Sequence, residues 1–265
     1  MAYGIDIWYC GRSIEYEFKY KGNYGAKGEK RAPRQKATPE QIKKQNQYLR
    51  EKTIRRTIKL NFEPGDIWAT LKYPKGARKG VSEVRDELKK FLDGMRYDYK
   101  KRGQPFKFIY RMEIGEKGGV HIHILVNRLN DKPDTDVLIQ KRWPHGHVYY
   151  TSIYESGGYE ALAEYIVKQP TEEIEGQLSL FPKEDRKHFI KYQTSKNLIR
   201  PEPVHKEYRR RTLRKLFEDG PEPTPGYYID KDSICSGTNP YTGMSYYYYT
   251  EVKIVDFTRT ERRQE

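Results

Sequence analysis

Residues 108–126 carry the pattern that most restricts the fold. Two apolar runs, Phe108-Ile109-Tyr110-Arg111-Met112-Glu113-Ile114 and Val120-His121-Ile122-His123-Ile124-Leu125-Val126, are separated by Gly115-Glu116-Lys117-Gly118-Gly119. The runs read as strands and the glycine-rich segment as the turn between them. Side chains alternate across a strand, so His121 and His123 share one face. If Ile114 pairs with Val120, Glu113 lies directly opposite His121, about 4.5–5.5 Å away at Cβ. Two imidazoles and one carboxylate on one surface, with positions left for water and substrate, suit a catalytic divalent ion better than a closed structural zinc site. Mg²⁺ or Mn²⁺ held there would act as a Lewis acid on a phosphate oxygen. The alternative reading is a surface hairpin with incidental histidines.

About forty residues on comes Gly157-Gly158-Tyr159-Glu160-Ala161-Leu162-Ala163-Glu164-Tyr165-Ile166-Val167-Lys168-Gln169-Pro170. Glycines lead in, helix formers fill the middle and a proline ends it, which predicts a short helix over 157–168. Tyr159, Leu162, Ala163 and Ile166 make one apolar stripe, and Tyr165 and Lys168 fall outside it, one turn apart. Tyr159 is therefore expected in the core and Tyr165 free to meet a substrate. A phenol with its ordinary pKa of about 10 is a poor nucleophile at neutral pH. A lysine and a metal nearby would both favour the phenolate. Taken alone, Tyr165 also reads as one of 24 tyrosines on an aromatic-rich surface.

A His-hydrophobic-His strand followed by a helical Tyr-x-x-Lys resembles the HUH endonuclease superfamily, and within it the single-tyrosine initiators of rolling-circle plasmids and filamentous phages. The resemblance implies that His121 and His123 with Glu113 hold Mg²⁺ or Mn²⁺, that Tyr165 is the nucleophile, and that Lys168 is the lysine that follows it. It implies attack on a phosphodiester of single-stranded DNA, leaving a 5′-phosphotyrosine and a free 3′-OH that primes replication. It further implies an origin hairpin or duplex as binding site, a host helicase and polymerase as partners, a bacterial cytoplasm and a monomer or weak dimer. Asn61-Phe62-Glu63-Pro64-Gly65-Asp66-Ile67-Trp68-Ala69-Thr70-Leu71-Lys72-Tyr73 is similar to the first-strand motif of these initiators. Lys72 stands where many relatives carry a small hydroxyl residue, and a lysine there can contact the DNA backbone. The resemblance covers residues 57–170, and Thr194–Pro201 is similar to a segment after the nucleophile helix in Gram-positive relatives. Tyr159 and Tyr165, six residues apart, face different ways, so one nucleophile is favoured over two. A transposase of mobile DNA shares this chemistry; relaxases are disfavoured because their nucleophile precedes the histidines. A non-catalytic DNA-binding copy-control protein would have no chemical reason to keep all five site residues.

The elements expected in order are a strand at 66–73, a helix from Ser82, the hairpin over 106–127, a helix over 134–142, a strand over 146–153 and the nucleophile helix. That is an α+β, ferredoxin-like order: an antiparallel sheet with helices on one face, leaving Glu113, His121 and His123 on the open face. Around this core of 57–170 lie an N-terminal extension, 1–56, and a C-terminal basic and aromatic extension, 171–257, with 258–265 as a frayed tail. Residues 3–20 read as a strand or hairpin and 21–37 as a basic linker. A Lys/Arg-rich helix capped by Thr38 is expected to run to about Arg56, as a DNA arm or equally a solvated face. Residues 184–198 are expected to be helical, and 206–216, with Arg209, Arg210 and Arg211, form a basic helix read as a DNA contact. Strand pairs around Asn239–Gly243 are expected over 226–257. His145-Gly146-His147 is a second His-x-His pair, with no carboxylate evidently opposed to it.

A formal net charge of +14 on 265 residues, with 14% aromatics, implies a polyanionic partner and favours nucleic acid over membrane. Cations neutralise phosphates while tyrosines stack on unpaired bases. Cys10 and Cys235 fit no zinc spacing and suggest no disulfide framework. No leader or membrane-length apolar run is expected. No Gly-x-x-x-x-Gly-Lys-Ser/Thr loop is present, so duplex unwinding would fall to a host helicase.

Overall fold

The structure is a computed structural model that describes residues 3–20, 33–115, 118–129, 131–153, 159–179, 181–208 and 213–254. Among these residues, ten strands form two antiparallel five-stranded sheets, joined by seven helices in an α+β fold. The chain divides into two compact units, residues 45–200 and residues 1–44 with 201–265.

Strands β1 (Tyr3–Cys10) and β2 (Ser13–Tyr20) pair as a hairpin. Helix α1 (Pro39–Asn61) opens with a capping box: Thr38 Oγ1 accepts from the Gln41 amide while Gln41 Oε1 accepts from the Thr38 amide. It runs five residues past the expected end because Ile54, Ile58 and Phe62 continue an apolar stripe into a core. Of its basic residues, Arg56 is buried and Arg55 lies 3.7 Å from Glu160, so the inner half packs against protein.

The 45–200 unit is built on β3 (Ile67–Lys72), helix α2 (Val81–Lys101), β4 (Phe108–Ile114), β5 (Val120–Val126), α3 (Thr135–Arg142) and β6 (Val148–Ser152). The strands lie in the order β6-β3-β5-β4, the ferredoxin-like arrangement. Alternation sorts the side chains. Ile67, Ala69, Leu71, Phe108, Met112, Ile122 and Ile124 point to one face, where they meet Val84, Leu88, Phe91, Met95 and Tyr99 of α2 and Leu138 and Ile139 of α3. Fully burying each such side chain stabilises by about 1.5–3 kcal/mol. Asp98 of α2 and Arg142 at the end of α3 lock these helices with two bonds of 2.7 and 2.8 Å.

The opposite face is not open throughout. Ile109 and Leu125 are covered by Ile54 and Ile58 of α1 and by Ala163, Ile166 and Val167 of α4 (Glu160–Val167). Only the end of that face bearing Glu113 and His121 is left partly exposed, because polar side chains there give those helices nothing apolar to pack on.

Residues 184–198, expected to be helical, are split. Helices α5 (Glu172–Ser179) and α6 (Lys183–Ile190) bury Leu178 and Phe189 in the core beneath α2, and β7 (Gln193–Thr194) then joins the β4 edge. The Thr194–Pro201 segment is structural. Ser195 exchanges bonds with the Phe108 backbone, and the Ile199 amide donates to Asn61 Oδ1 at 2.8 Å.

Nor do residues 206–216 form one basic helix. Val204–Tyr208 is strand β8, paired with β1, because β1 offers an unpaired edge whose ladder outweighs a weak local helix preference. A short helix α7 (Arg214–Asp219) follows; Arg209, Arg210 and Arg211 lie outside the described residues, as does the 258–265 tail. Strands β9 (Tyr227–Asn239) and β10 (Met244–Lys253) close around the expected Asn239–Gly243 turn, and this second sheet has the order β8-β1-β2-β10-β9. Both edges of the β1–β2 hairpin are thus filled from the C-terminal part of the chain. Ile5, Ile7 and Ile14 occupy one face of the hairpin, and Asp6, Glu15 and Glu17, all buried, occupy the other. Asp6 is paired with Lys19 and His205.

Candidate metal and nucleophile site

The register of the hairpin is the one its pattern predicts: Ile114 faces Val120, Glu113 faces His121 and Arg111 faces His123. On the other side of β5, Lys72 faces His121 and Thr70 faces His123, and Tyr149 of β6 faces Thr70. Two rows therefore cross the sheet on one face, Lys72–His121–Glu113 and Tyr149–Thr70–His123–Arg111.

The first row with His123 supplies the ligand set. One donor atom from each of Glu113, His121 and His123 lies within 4.8 Å of the others. Glu113 Oε2 is 3.2 Å from His123 Nε2 and 3.6 Å from His121 Nε2. Neighbouring ligands of an octahedral ion bound at about 2.1 Å are about 3 Å apart, so two imidazoles and one carboxylate oxygen at this spacing fit such an ion. Thr70 Oγ1 lies 3.1 Å from His123 Nδ1. The tautomer that donates Nδ1–H to Thr70 leaves the Nε2 lone pair toward Glu113, the usual orienting role of a second partner. Trp68 stacks on His123 with ring centroids 5.7 Å apart and planes at 17°. Gly115 leaves room for His121: a Cβ there would stand 3.2 Å from His121 Cε1.

Tyr165 meets this set. Its hydroxyl donates to Glu113 Oε2 at 2.8 Å and lies 2.8 Å from His123 Nε2. Tyr159, in contrast, is buried in the core under α1 with Ala163 and Ile166, as its place in the apolar stripe predicts. Its φ of 63° marks the helix entry as the one left-handed non-glycine position among the described residues. Lys168 stands just past the helix in extended conformation, one residue before the Gln169–Pro170 restriction takes hold. Its Nζ reaches Glu113 Oε1 at 2.8 Å and lies 3.9 Å from the Tyr165 ring centroid.

Arg111, 3% exposed, ties the two parts together. Its Nη1 donates to the carbonyls of Ile166, at 3.0 Å, and Lys168, at 2.6 Å, two groups that end an α-helix without partners of their own. Its Nε lies 3.3 Å from Glu113 Oε1. The glutamate thus divides its oxygens, Oε1 to cations and Oε2 to the ligand side.

Burial opposes ionisation of Glu113, but hydrogen bonds from His121, His123, Lys168 and Tyr165 outweigh it and hold the pKa well below the carboxylate range. Burial lowers the His123 pKa in spite of the adjoining carboxylate, which favours the neutral, ligating form. Burial and the bond to Glu113 raise the Tyr165 pKa, with Arg111 acting against them, so the phenol is protonated at neutral pH.

His145 sits elsewhere, 3.3 Å from Glu87 of α2, and belongs to no candidate ligand group among the described residues. Its neighbour Gly146 serves the end of β3: a Cβ there would collide with the Lys72 carbonyl, beside the bond from the Lys72 amide to His147 O. Thr70, Trp68 and Arg111 were not singled out in the sequence. The available signal was their period: each lies two residues from Lys72 or Glu113, or from one another, on the same face, and an arginine inside an apolar strand is rare without a partner.

Residues 66–170 match a family model described as a replication-associated protein, of the type designated ORF2. That span runs from the residue before β3 to the proline after Lys168. No curated protein and no solved structure matches the chain significantly. No helix among the described residues is long and apolar enough to cross a membrane.

Proposed function

We propose that the 45–200 unit is a metal-dependent enzyme that nicks and rejoins single-stranded DNA, and that it initiates rolling-circle replication. The observation that carries this is the Tyr165 hydroxyl at 2.8 Å from two members of the Glu113–His121–His123 set, with strand and helix supplying the groups independently. The replication-associated family matched by residues 66–170 supports the same role.

A divalent cation held by Glu113 Oε2, His121 and His123 would supply Lewis-acid polarisation of a phosphate oxygen. The protein does the rest. Tyr165 Oη attacks phosphorus, forming the phosphotyrosine ester as the bond to the 3′ oxygen breaks and leaves as a 3′-OH. The phenolic proton has an acceptor already in contact, Glu113 Oε2. Lys168, beside both the ring and the carboxylate, stabilises charge developing on the phenolic oxygen. Because the ester keeps the energy of the broken bond, a later 3′-OH can reverse the step and rejoin the strand.

The test is covalent capture. The full chain is incubated with Mn²⁺ and a pool of single-stranded oligonucleotides, and denaturant-stable adducts are mapped by mass spectrometry. An adduct on Tyr165, lost with chelator and in Tyr165→Phe, is the expected result. An adduct on Tyr159 would move the nucleophile. Tight DNA binding with no adduct on any substrate would make this a DNA-binding module.

A further inference from the structure

Beside the ligand set, a cleft of about 550 Å³ lies between the segment after β3 and the β4–β5 turn. Its lining includes Lys72, Lys75, Arg78, His121 and the backbones of Gly115 and Gly119. Lys72, Lys75 and Arg78 are exposed, and among the described residues none of the three is paired with a carboxylate, whereas the adjacent Lys79 holds both Glu83 and Glu87 at 2.6 Å. On the other side of Lys72 is Tyr149, 57% exposed on the same face as His123. Lys72 Nζ lies 4.6 Å over its ring. Tyr149 is two strands from His123, about 10 Å at the usual strand spacing.

We propose that this surface is the single-strand track of the site, with Lys75 and Arg78 holding phosphates in the cleft and Tyr149 stacking a base next to the scissile phosphate. Lys72 links the two: it covers one face of the Tyr149 ring, and a base taking that face releases the ammonium to a phosphate. Unneutralised cations beside an exposed aromatic are the two elements that sequence-tolerant single-strand binding needs. A duplex buries its base faces and offers Tyr149 nothing to stack on. The inference rests on the reading of the site as a DNA-nicking centre, but its test requires no nicking.

The probe is a fluorescein-labelled oligothymidylate about twelve nucleotides long, within the usual site size. Its binding to the full chain is followed by anisotropy without divalent metal, from about 50 mM salt upward. Tyr149→Leu should weaken binding by roughly 5- to 150-fold, the range lost when a stacking platform is removed, with the salt slope unchanged. Tyr149→Phe should restore most of it. The pair Lys75→Gln and Arg78→Gln should flatten the slope of log affinity against log salt by about 1.4, at about 0.7 per phosphate contact. Thermal midpoints serve as a folding control, since all three side chains are exposed. The proposal fails if the parent protein does not bind the probe at low salt, if Tyr149→Leu binds as the parent does, or if an equal-length duplex shows the same losses. Losses as expected together with no Tyr165 adduct would keep the track and reject the nuclease.

Discussion

Replacing Arg111 with methionine keeps the length of the side chain and removes the guanidinium. Two carbonyls lose their donor, those of Ile166 and Lys168. Bonds from a charged donor contribute about 1.5–3 kcal/mol each. Part of that is offset, because burial disfavours the guanidinium and lowers its pKa even beside Glu113. A net loss of about 2–4 kcal/mol follows, the scale seen when one partner of a buried pair is removed. With a urea dependence of about 2 kcal/mol per molar, the midpoint should fall by about 1–2 M. Domain stabilities of about 5–15 kcal/mol leave the variant folded in buffer. The chemistry should lose more. The C-terminal turn of α4 would be free to drift, and a 1 Å misplacement of a reacting group costs on the order of 100-fold. Arg111→Met should therefore slow Tyr165 adduct formation by about two orders of magnitude. Mn²⁺ affinity, measured by calorimetry, should change far less than the rate, since all three ligands remain. Arg111→Lys should recover part of both losses. A methionine variant with the parental midpoint and rate would refute the clamp. So would a fall in Mn²⁺ affinity as large as the fall in rate, because the damage would then lie in the ligands.

Thr70→Val removes the group that orients His123 and should lower Mn²⁺ affinity by about 10–100-fold in calorimetry, with a small effect on thermal stability. Gly115→Ala places a methyl 3.2 Å from His121 Cε1 and should weaken Mn²⁺ binding by pushing the ring aside, while the circular dichroism spectrum stays that of the parent. Asp98→Asn breaks the paired bonds to Arg142 and should cost about 1–3 kcal/mol at pH 7 in urea titration. The sign with pH follows from those bonds, which hold the Asp98 carboxyl below its ordinary value. Its contribution is full above the unfolded pKa of about 3.9 and disappears as pH falls through the lower, folded value. Parent and variant should therefore converge in stability only in acid.

The metal hairpin was legible residue by residue because strand alternation leaves one register that buries both apolar sets, and that register puts Glu113 against His121. The division between Tyr159 and Tyr165 was legible for a similar reason, one apolar stripe on a short helix. Arg111 was not, since its partners, Ile166 and Lys168, are 55 and 57 residues away and are backbone atoms of any residue type. Lys168 was placed on the helix, yet it works from just beyond it, where local pattern gives no orientation. Strand β8 was misread as helix because the edge it completes belongs to residues near the other end of the chain, and Val204–Tyr208 carries almost no alternation of its own.

The β1–β2 hairpin must outlast a long wait during synthesis. Roughly 180 residues separate Tyr20 from Val204, so at about 5–20 residues per second the ribosome needs about 10–40 s to deliver the strand that covers β1, and longer for the one that covers β2. Throughout that interval both edges of the hairpin present unpaired backbone to other nascent chains, the situation in which strands aggregate. Asp6, Glu15 and Glu17 carry charge on the face opposite the isoleucines, and any chain adding to an edge would have to bury those carboxylates without Lys19 and His205 in their native places. The same acidic row that looks uneconomical in the finished sheet thereby keeps an early, half-built one selective for its own late-arriving strands.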